Sequence, residues 1–494
     1  MSVTNATSPD DTPRAGVMPS RSDLVAIAIV IGVAVLLRGA FHFRAPVFLE
    51  GDSQSYLLPA WDLLHGAGFA PEIRRAPVYP VFIASTFAFA GAQLETLAAF
   101  QHLLGIITVG LTYLLARRWL SALPSAFAAG LVAVSGPIII YERYVMSETL
   151  FGTLLTATIL ALVVAIQKND LRWFALGGAL MGLTALCRPV SQVMLGLAPL
   201  TIVLIMGLNR RTLIASAVSC GVMLAVLAPW ALRNLGSHGT MSSAGGLGRS
   251  LIARTVKYDE GFFNSERVVR DGEVQGELKP AARQIVYRKR NNVRKGRSVR
   301  PVTDAIIEEL QLTPGQADTL MRQIALEAIA DRPNYYLQGT AGMIGQIFMG
   351  RDERLAGHWR QRADKDWEEQ WETRIESLVT PVTPIQQMGY PVAEVLVSAF
   401  QPARLGFAFP ALGLLGAVLA VRNPRTRVVL LPAAVTLTFV SLAAALDGPV
   451  PRYRYPVDPL IAVCVASLVP VLATAVARMR RPGRIRHAER QAAG

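Results

Sequence analysis

Residues 24–43 read LVAIAIVIGVAVLLRGAFHF, a run of 20 almost entirely apolar residues. A helix of this length rises about 30 Å, the thickness of the hydrocarbon core of a bilayer. The run is too long for the core of a signal peptide, and no small-residue cleavage site follows it, so it is predicted to stay as an anchor. Because comparable runs recur, the sequence predicts a multi-pass membrane protein; these runs are 96–116, 212–232, 428–446 and 457–476.

The amino-acid composition is typical of a membrane protein. The chain has 494 residues, of which 52% are hydrophobic and 17% are charged. Soluble globular proteins carry about 25% charged residues, so the composition excludes an ordinary soluble enzyme. The three cysteines, Cys187, Cys220 and Cys464, lie in or beside apolar segments and have no CxxC spacing. The sequence therefore predicts neither a disulfide framework nor a structural zinc site.

The net charge of +14 is distributed in a way that indicates membrane topology. The stretch 233–404 holds 24 Lys/Arg and 21 Asp/Glu, so most of the excess lies among the apolar segments and the tails. Short basic connectors face the cytoplasm by the positive-inside rule. We therefore expect membrane lipids, and no nucleic acid, as partners of the excess charge.

These connectors predict ten crossings with both termini in the cytoplasm of a cell inner or plasma membrane. One further apolar stretch, 78–92, is short and opens with Pro77 and Pro80, so it is predicted to be interfacial or re-entrant. The predicted crossings are 24–43, 96–116, 122–141, 148–167, 173–187, 190–207, 212–232, 404–421, 428–446 and 457–477.

The same topology predicts five parts of the chain. The loop 233–403 is long, and its segments 323–330 and 364–378 alternate with helical period, which indicates a small, mainly helical extracytoplasmic domain. The parts are a disordered cytoplasmic tail 1–23, an N-terminal transmembrane module 24–232 with an outer loop 44–95, the extracytoplasmic domain 233–403, the C-terminal transmembrane helices 404–477, and a basic cytoplasmic tail 478–494.

The first outer loop carries acids and arginines close to the membrane surface. Asp52 is a candidate general base, since a carboxylate can take the proton of an attacking hydroxyl; Glu50 lies beside it. An N-cap for the segment 53–65 is the alternative for Asp52. Arg74 and Arg75 precede Tyr79 and match the geometry of a phosphate group, although snorkelling toward headgroups would also explain them.

A second outer segment, 141–148, places Glu142 at the end of one crossing and Glu148 at the start of the next. Both are expected to face the same outer cavity as Asp52. Such carboxylates could bind Mg²⁺ or Mn²⁺, with Asp52 and Glu148 as ligands, or orient the hydroxyls of a sugar. The alternative is structural: Arg143 neutralises Glu142, and the neighbouring Ser147 caps the helix that follows.

Three cations and a tyrosine complete the candidate set. Arg188 lies between two apolar segments and needs an anionic partner there. The turn 447–456 offers Arg452, Tyr453 and Arg454 at the outer face, although its aromatic residues could serve only as interface anchors. The basic run 288–300 is read as an exposed, solvated surface, with an anionic lipid or polysaccharide as the alternative.

These pieces resemble, in their order, the bacterial membrane glycosyltransferases related to protein O-mannosyltransferases and the lipid A aminoarabinose transferase. The resemblance covers most of 24–240 and 404–477. It rests on EGD at 50–52, Tyr56, Gly66, RAPVYP at 75–80, SE at 147–148, RP at 188–189, PW at 229–230, RN at 233–234, and RYR at 452–454 with Pro456.

The resemblance implies a GT-C fold with about ten transmembrane helices and interfacial helices in the first outer loop. It implies inverting transfer of a hexose or pentose from a polyprenyl-phosphate donor to an extracytoplasmic lipid, glycan or protein. Asp52 would be the catalytic acid residue and Glu148 the second one. Arg188, Arg452 and Arg454 would contact the donor phosphate. A transporter or lipid flippase, and an assembly protein without enzymatic activity, are the alternative functions.

Overall fold

The computed structural model describes residues 20–49, 52–69, 75–238, 241, 246–259, 262–263, 278–296, 299–350, 373–378, 384 and 405–479. Within these residues the chain is helical, and its extended pairing is limited to one isolated bridge between Phe48 and Tyr144. The all-α architecture expected from the sequence is therefore confirmed for this part of the chain.

The described residues of the first half form ten α-helices. They are α1 (Arg21–His42), α2 (Gln54–Leu64), α3 (Val78–Ala90), α4 (Leu94–Ala116), α5 (Ala122–Ala133), α6 (Gly136–Tyr141), α7 (Glu148–Lys168), α8 (Leu171–Cys187), α9 (Met194–Met206) and α10 (Arg210–His238).

The second half begins with the helices of the large loop and ends with apolar helices. They are α11 (Leu247–Ala253), α12 (Leu278–Gly296), α13 (Arg300–Leu310), α14 (Pro314–Asp331), α15 (Pro333–Met349), α16 (Thr373–Glu376), α17 (Ala408–Val421), α18 (Leu430–Leu446), α19 (Asp458–Ala466) and α20 (Leu468–Met479). A π-helical turn, Arg254–Tyr258, continues α11.

Seven helical segments of the described residues are long and apolar enough to cross a membrane, so the chain is a multi-pass membrane protein. Three other predicted crossings coincide with the shorter apolar segments Ala122–Ala133, Leu171–Cys187 and Ala408–Val421. The stretch predicted to be interfacial forms the short helix Val78–Ala90. The seven long segments are Arg21–His42, Leu94–Ala116, Glu148–Lys168, Pro189–Met206, Arg210–Ser237, Arg427–Leu446 and Pro451–Thr474.

Small residues let the apolar helices approach closely. A Cβ added at Gly178 of α8 would overlap the backbone of Ser219 in α10, and one added at Gly416 of α17 would overlap the backbone of Cys464 in α19. Lipid offers no hydrophobic drive for helix association, so close van der Waals packing of this kind holds such helices together.

The large loop has a hydrophobic core separate from that of the apolar helices. Buried residues of α11 to α14, among them Ile252, Ile285, Ile306 and Ile324, form one cluster. The segment 323–330, predicted to be helical, lies in α14. Of the other predicted segment, 364–378, only 373–378 falls within the described residues. The described part of the loop is thus the mainly helical unit that the sequence predicts.

Candidate functional site

A short backbone bridge brings together the segments that precede Asp52 and Glu148. Phe48 N donates to Arg143 O at 2.9 Å, and Val145 N donates to Phe48 O at 3.1 Å. Asp52 lies four residues after Phe48, and Glu148 lies four residues after Tyr144, the partner of Phe48 in the bridge. Parallel pairing at this point therefore places both acids on the same side of the bridge.

Asp52 lies in the turn before α2 between two arginines. Its Oδ1 is 2.6 Å from Arg75 Nη2, and its Oδ2 is 3.2 Å from Arg452 Nη2. The Asp52 side chain is 31% exposed, so a substrate group can reach the carboxylate. The N-cap of α2 is Ser53, which makes no side-chain capping bond. Asp52 thus acts as an ion-pair partner of arginines rather than as a helix cap.

Glu148 opens α7 and is buried, with 2% of its side chain exposed. Its Oε1 is 2.6 Å from Arg188 Nη2 and 3.5 Å from Arg452 Nε. A buried carboxylate is costly unless cations compensate its charge, and two guanidinium groups do so here. Arg452 contacts both acids, so it joins the Asp52 pair and the Glu148 pair into one cluster.

Hydroxyl and aromatic groups hold the arginines of this cluster in position. Arg188 Nε donates to Ser147 Oγ at 2.9 Å, and Ser147 Oγ is 3.2 Å from Tyr56 Oη. Arg75 Nε donates to Ser55 Oγ at 2.7 Å, and its guanidinium carbon is 4.3 Å from the centre of the Tyr56 ring. Tyr56 and Ser147 therefore connect the two halves of the cluster, a role that the sequence did not indicate.

Asp447 is a third acid at this site, and sequence reasoning missed its role. The Tyr453 hydroxyl donates to Asp447 Oδ2. Burial raises the pKa of Asp447, Asp52 acts in the same direction, and the charges of Arg452, Lys257 and Arg188 oppose them. Its position directly after an apolar run and six residues before Tyr453 was the available signal.

Glu142 is not brought to the cluster. Its Oε1 is 2.7 Å from Arg38 Nη2, and its Oε2 is 2.7 Å from His102 Nδ1; all three side chains are buried between α1, α4 and the end of α6. Arg143, the neighbour considered as its partner, instead lies 2.8 Å from Glu95 Oε2. Glu142 therefore belongs to a buried network with Arg38 and His102 that lies between the helices.

Tyr79 and Arg454 also lie outside the cluster. Tyr79 is buried, and its hydroxyl donates to Gln101 Oε1 at 2.8 Å. Arg454 Nε donates to Asp458 Oδ1 at 2.9 Å, and Arg454 Nη1 donates to Phe348 O at 2.7 Å. Both side chains fix neighbouring segments in place. Two further candidates, Glu50 and Arg74, lie outside the described residues.

The donor set at Asp52 and Glu148 does not fit a resident Mg²⁺ or Mn²⁺ ion. Guanidinium nitrogens of Arg75, Arg188 and Arg452 already contact three of the four carboxylate oxygens. Across the described ranges, no group of three or more His, Cys, Asp or Glu side chains is arranged to hold a metal. Hard divalent cations need several oxygen ligands. At this site, guanidinium groups already compensate the charge of the carboxylate oxygens.

The cluster can bind and stabilise negative charge next to a reachable carboxylate. Arginine presents five N–H donors in a planar fork that matches phosphate oxygens, and the ion pairs to Glu148 use only part of them. Arg188, for example, uses Nε for Ser147 and Nη2 for Glu148. The arrangement therefore combines a candidate proton acceptor, Asp52, with preoriented donors for an anion.

One family model matches the chain. It is the family described as dolichyl-phosphate-mannose-protein mannosyltransferase, and it matches residues 74–232. This range is less than half of the chain and includes Arg75, Glu148 and Arg188. No curated protein matches this chain.

Several solved structures are similar to this chain. The oligosaccharyltransferase of Archaeoglobus fulgidus in the apo form is 13% identical, with a TM-score of 0.48, over 96% of this chain and 52% of that chain. The archaeal oligosaccharyltransferase AglB from the same organism, in complex with an inhibitory peptide and a dolichol-phosphate, is 13% identical, with a TM-score of 0.48, over 93% and 51%. ArnT from Cupriavidus metallidurans bound to undecaprenyl phosphate is 16% identical, with a TM-score of 0.41, over 91% and 78%. The chain thus spans about half the length of the oligosaccharyltransferase.

Proposed function

We propose that this protein is a GT-C membrane glycosyltransferase that moves a sugar from a polyprenyl-phosphate donor to an extracytoplasmic acceptor with inversion. The observation that carries the proposal is the cluster in which Arg452 joins Asp52 to Glu148 and Arg188. The family model match over 74–232 supports it, because that family is described by transfer from dolichyl-phosphate-mannose.

The proposed reaction is a direct displacement at the anomeric carbon of the sugar. The oxygen of an acceptor hydroxyl attacks this carbon and forms the new glycosidic bond, while Asp52 takes the hydroxyl proton. The bond between the anomeric carbon and the phosphate oxygen breaks, and its electron pair leaves with the polyprenyl phosphate. Arg188 and Arg452 stabilise the negative charge that develops on this leaving group.

Glu148 has a supporting role in this proposal. It is buried, so an acceptor cannot reach its carboxylate as readily as that of Asp52. Its charge holds Arg188 and Arg452 in fixed orientations before the donor arrives, and preoriented donors stabilise a developing charge without reorganisation. Asp447 and Tyr453 hold the C-terminal turn that carries Arg452.

No step of the proposed reaction passes through a metal ion, because guanidinium groups already contact the carboxylate oxygens that would be ligands to a metal. The proposed acceptor is a lipid, a glycan or a protein, and the proposed sugar is a hexose or a pentose. The proposed site faces the extracytoplasmic side of the inner or plasma membrane, since basic connectors predict that side for Asp52, Glu148 and the turn 447–456.

A transfer assay in vesicles tests this function against that of a transporter or flippase. Purified protein is reconstituted with a short-chain polyprenyl phosphate carrying a radiolabelled sugar, and envelope extract supplies the acceptor. We expect label in a covalent product that is absent with Asp52→Asn. Movement of the labelled lipid across the bilayer without any covalent product would contradict the proposal and favour transport.

A further inference from the structure

Arg143 is a fully buried cation in the segment between α6 and α7, the helix that begins with Glu148. Its guanidinium group donates to the backbone oxygen of Ala45 and, at 3.3 Å, to that of Pro46, both in the loop after α1. The backbone oxygen of Arg143 accepts the amide hydrogen of Phe48 at 2.9 Å. One residue thus holds the loop after α1 both through its side chain and through its backbone.

This attachment bears on the positions of the two acids of the cluster. Asp52 follows Phe48 by four residues, and Glu148 follows Arg143 by five. A shift of the loop after α1 relative to Arg143 would therefore move Asp52 relative to Glu148 and to the arginines between them. A displacement of about 1 Å in a reacting group can lower a rate by about 10²-fold. The contacts of Arg143 thus help to set the distance between the candidate base and the arginines of the cluster.

His42, the last residue of α1, accepts a further hydrogen bond from Arg143. Its Nδ1 lies 3.0 Å from Arg143 Nη1. A guanidinium group has five N–H donors and no acceptor, so His42 Nδ1 carries a lone pair in this contact and the ring is neutral. Protonation of Nδ1 would turn the hydrogen bond into a contact between two donors of like charge. The attachment of Arg143 is therefore complete only while His42 is uncharged.

Other titratable groups also face His42. The ring centre of His102 in α4 is 5.7 Å from that of His42, and the charges of Glu95, in the same helix, and Arg143 act on His42 as well. Glu95 already pairs with Arg143 and is 38% exposed, so it compensates a new charge on His42 only in part. The other helix that packs extensively on α1 is α5, whose sequence has no titratable side chain.

We propose that Arg143 is a positioning residue for glycosyl transfer and that its hydrogen bond to His42 makes this positioning depend on pH. The positioning role rests on the proposed function, which supplies the reaction. Neutral His42 completes the attachment that holds Asp52 in the cluster. Protonated His42 gives up the contact, so transfer slows as pH falls through the range in which histidines titrate, about pH 8 to 5.

Amide hydrogen exchange measures the attachment without turnover. Exchange of the Phe48 amide in the full-length protein in detergent is compared between the wild type and His42→Asn at the same pH, which cancels the intrinsic effect of pH. The asparagine oxygen takes the place of Nδ1 as the acceptor and cannot be protonated in this range. We expect equal protection at pH 8 and, at pH 5, about tenfold lower protection in the wild type than in His42→Asn.

His65→Asn is the control for this comparison. His65 Nδ1 lies 2.9 Å from Trp61 O, which can only accept, so this contact needs a proton on Nδ1 and survives protonation of the ring. The exchange of Phe48 in His65→Asn should therefore follow the wild type at both pH values.

A substitution of Arg143 itself separates positioning from folding. Arg143→Lys keeps the charge, but an ammonium group cannot reproduce the planar fork that reaches several acceptors at once. We expect kcat to fall by about tenfold or more while KM for the donor stays within a few-fold of the wild type. Arg117→Lys is the matched control, because Arg117 pairs with Asp23 near the opposite end of α1. It should keep the wild-type kcat even where its thermal unfolding midpoint falls as much.

Equal protection of Phe48 in the wild type and His42→Asn at pH 5 overturns the dependence on pH. A wild-type kcat in Arg143→Lys, or equal losses of kcat in Arg143→Lys and Arg117→Lys, overturns the positioning role. Loss of Phe48 protection at pH 5 that His42→Asn prevents, with no transfer by the wild type at any pH, would keep the pH-sensitive contact and reject the transferase function.

Discussion

Arg452 Nη2 lies 3.2 Å from Asp52 Oδ2, although 400 positions separate the two residues in the chain. The same guanidinium group faces Glu148. The turn after α18 therefore belongs to the same charge cluster as the loop that carries Asp52, and neither end of the chain forms the cluster alone.

Because the buried pair of Arg38 and Glu142 packs against Gly105, we expect a substitution at Gly105 to destabilise the protein. A Cβ at Gly105 of α4 would overlap the Glu142 carboxylate and approach Arg38 Nε. Gly105→Ala should therefore lower the free energy of unfolding by about 3 kcal/mol, because it forces apart a pair that is costly to leave uncompensated. Denaturant unfolding in detergent measures this. Gly110→Ala on the same helix is the control, since its Cβ meets only Ile31 Cδ1 at 3.8 Å; equal losses in both variants would reject the explanation.

Arg454 is expected to support folding rather than bind the donor. Arg454→Ala leaves Asp458 buried without its partner, so we predict a loss of about 3–5 kcal/mol in unfolding free energy. The double change Arg454→Met/Asp458→Leu should recover most of that stability, because it removes both charges together. Normal stability of Arg454→Ala combined with a lost donor affinity would instead place Arg454 at the donor phosphate.

In the large loop, the stabilisation from the ion pairs of Glu327 should depend on pH. The hydrogen bond from Lys279, assisted by Arg283 and opposed by burial, holds the pKa of Glu327 below its ordinary value. Its contribution is thus present above the ordinary pKa of a glutamate and is lost as pH falls through the lowered pKa. We expect Glu327→Gln to be less stable than the wild type at pH 7 by under about 1 kcal/mol, because the site is partly exposed.

Amide hydrogen exchange in α12 and α14 measures this difference between about pH 7 and pH 3. The difference between Glu327→Gln and the wild type should shrink toward the acidic end of this range. Glu308→Gln, an exposed glutamate on α13, serves as the control and should match the wild type throughout. A difference that grows toward acidic pH would contradict the assigned sign.

Removal of divalent metal should leave transfer intact. The guanidinium groups of Arg75, Arg188 and Arg452 hold the oxygens that a metal at Asp52 and Glu148 would need. Initial rates in EDTA should therefore equal those without it, and added Mg²⁺ or Mn²⁺ should not raise them. A loss of rate in EDTA that Mg²⁺ or Mn²⁺ restores would show that the arginines yield these oxygens to a metal.

Helix positions could be predicted from the sequence because each long apolar run must satisfy its own backbone in lipid. All ten predicted crossings coincide with helices, and the short helix 78–90 was also expected. The proximity of Asp52, Arg75, Glu148, Arg188 and Arg452 agrees with the expectation that outer segments share one cavity. This part of the site followed from topology, which brings outer ends together regardless of their separation in the chain.

The ion-pair partner of each charged residue could not be predicted from the topology. Glu142 and Glu148 are only six residues apart, yet the turn between them sends one carboxylate toward Arg38 and the other toward Arg188. Two signals were present and unused: Arg38 stands inside an apolar run and needs a buried acid, and Arg454 and Asp458 have the i,i+4 spacing of a helical ion pair.

The most direct measurement is the initial rate of glycosyl transfer for Asp52→Asn beside Asp62→Asn at saturating donor. Asp62 is an acid of the same outer loop, but it pairs with Arg374 outside the cluster. We predict that Asp52→Asn lowers the rate by about 10²-fold or more, as expected for loss of a general base, and that Asp62→Asn stays within a few-fold of the wild type. Wild-type turnover by Asp52→Asn would contradict the placement of the catalytic centre at Asp52.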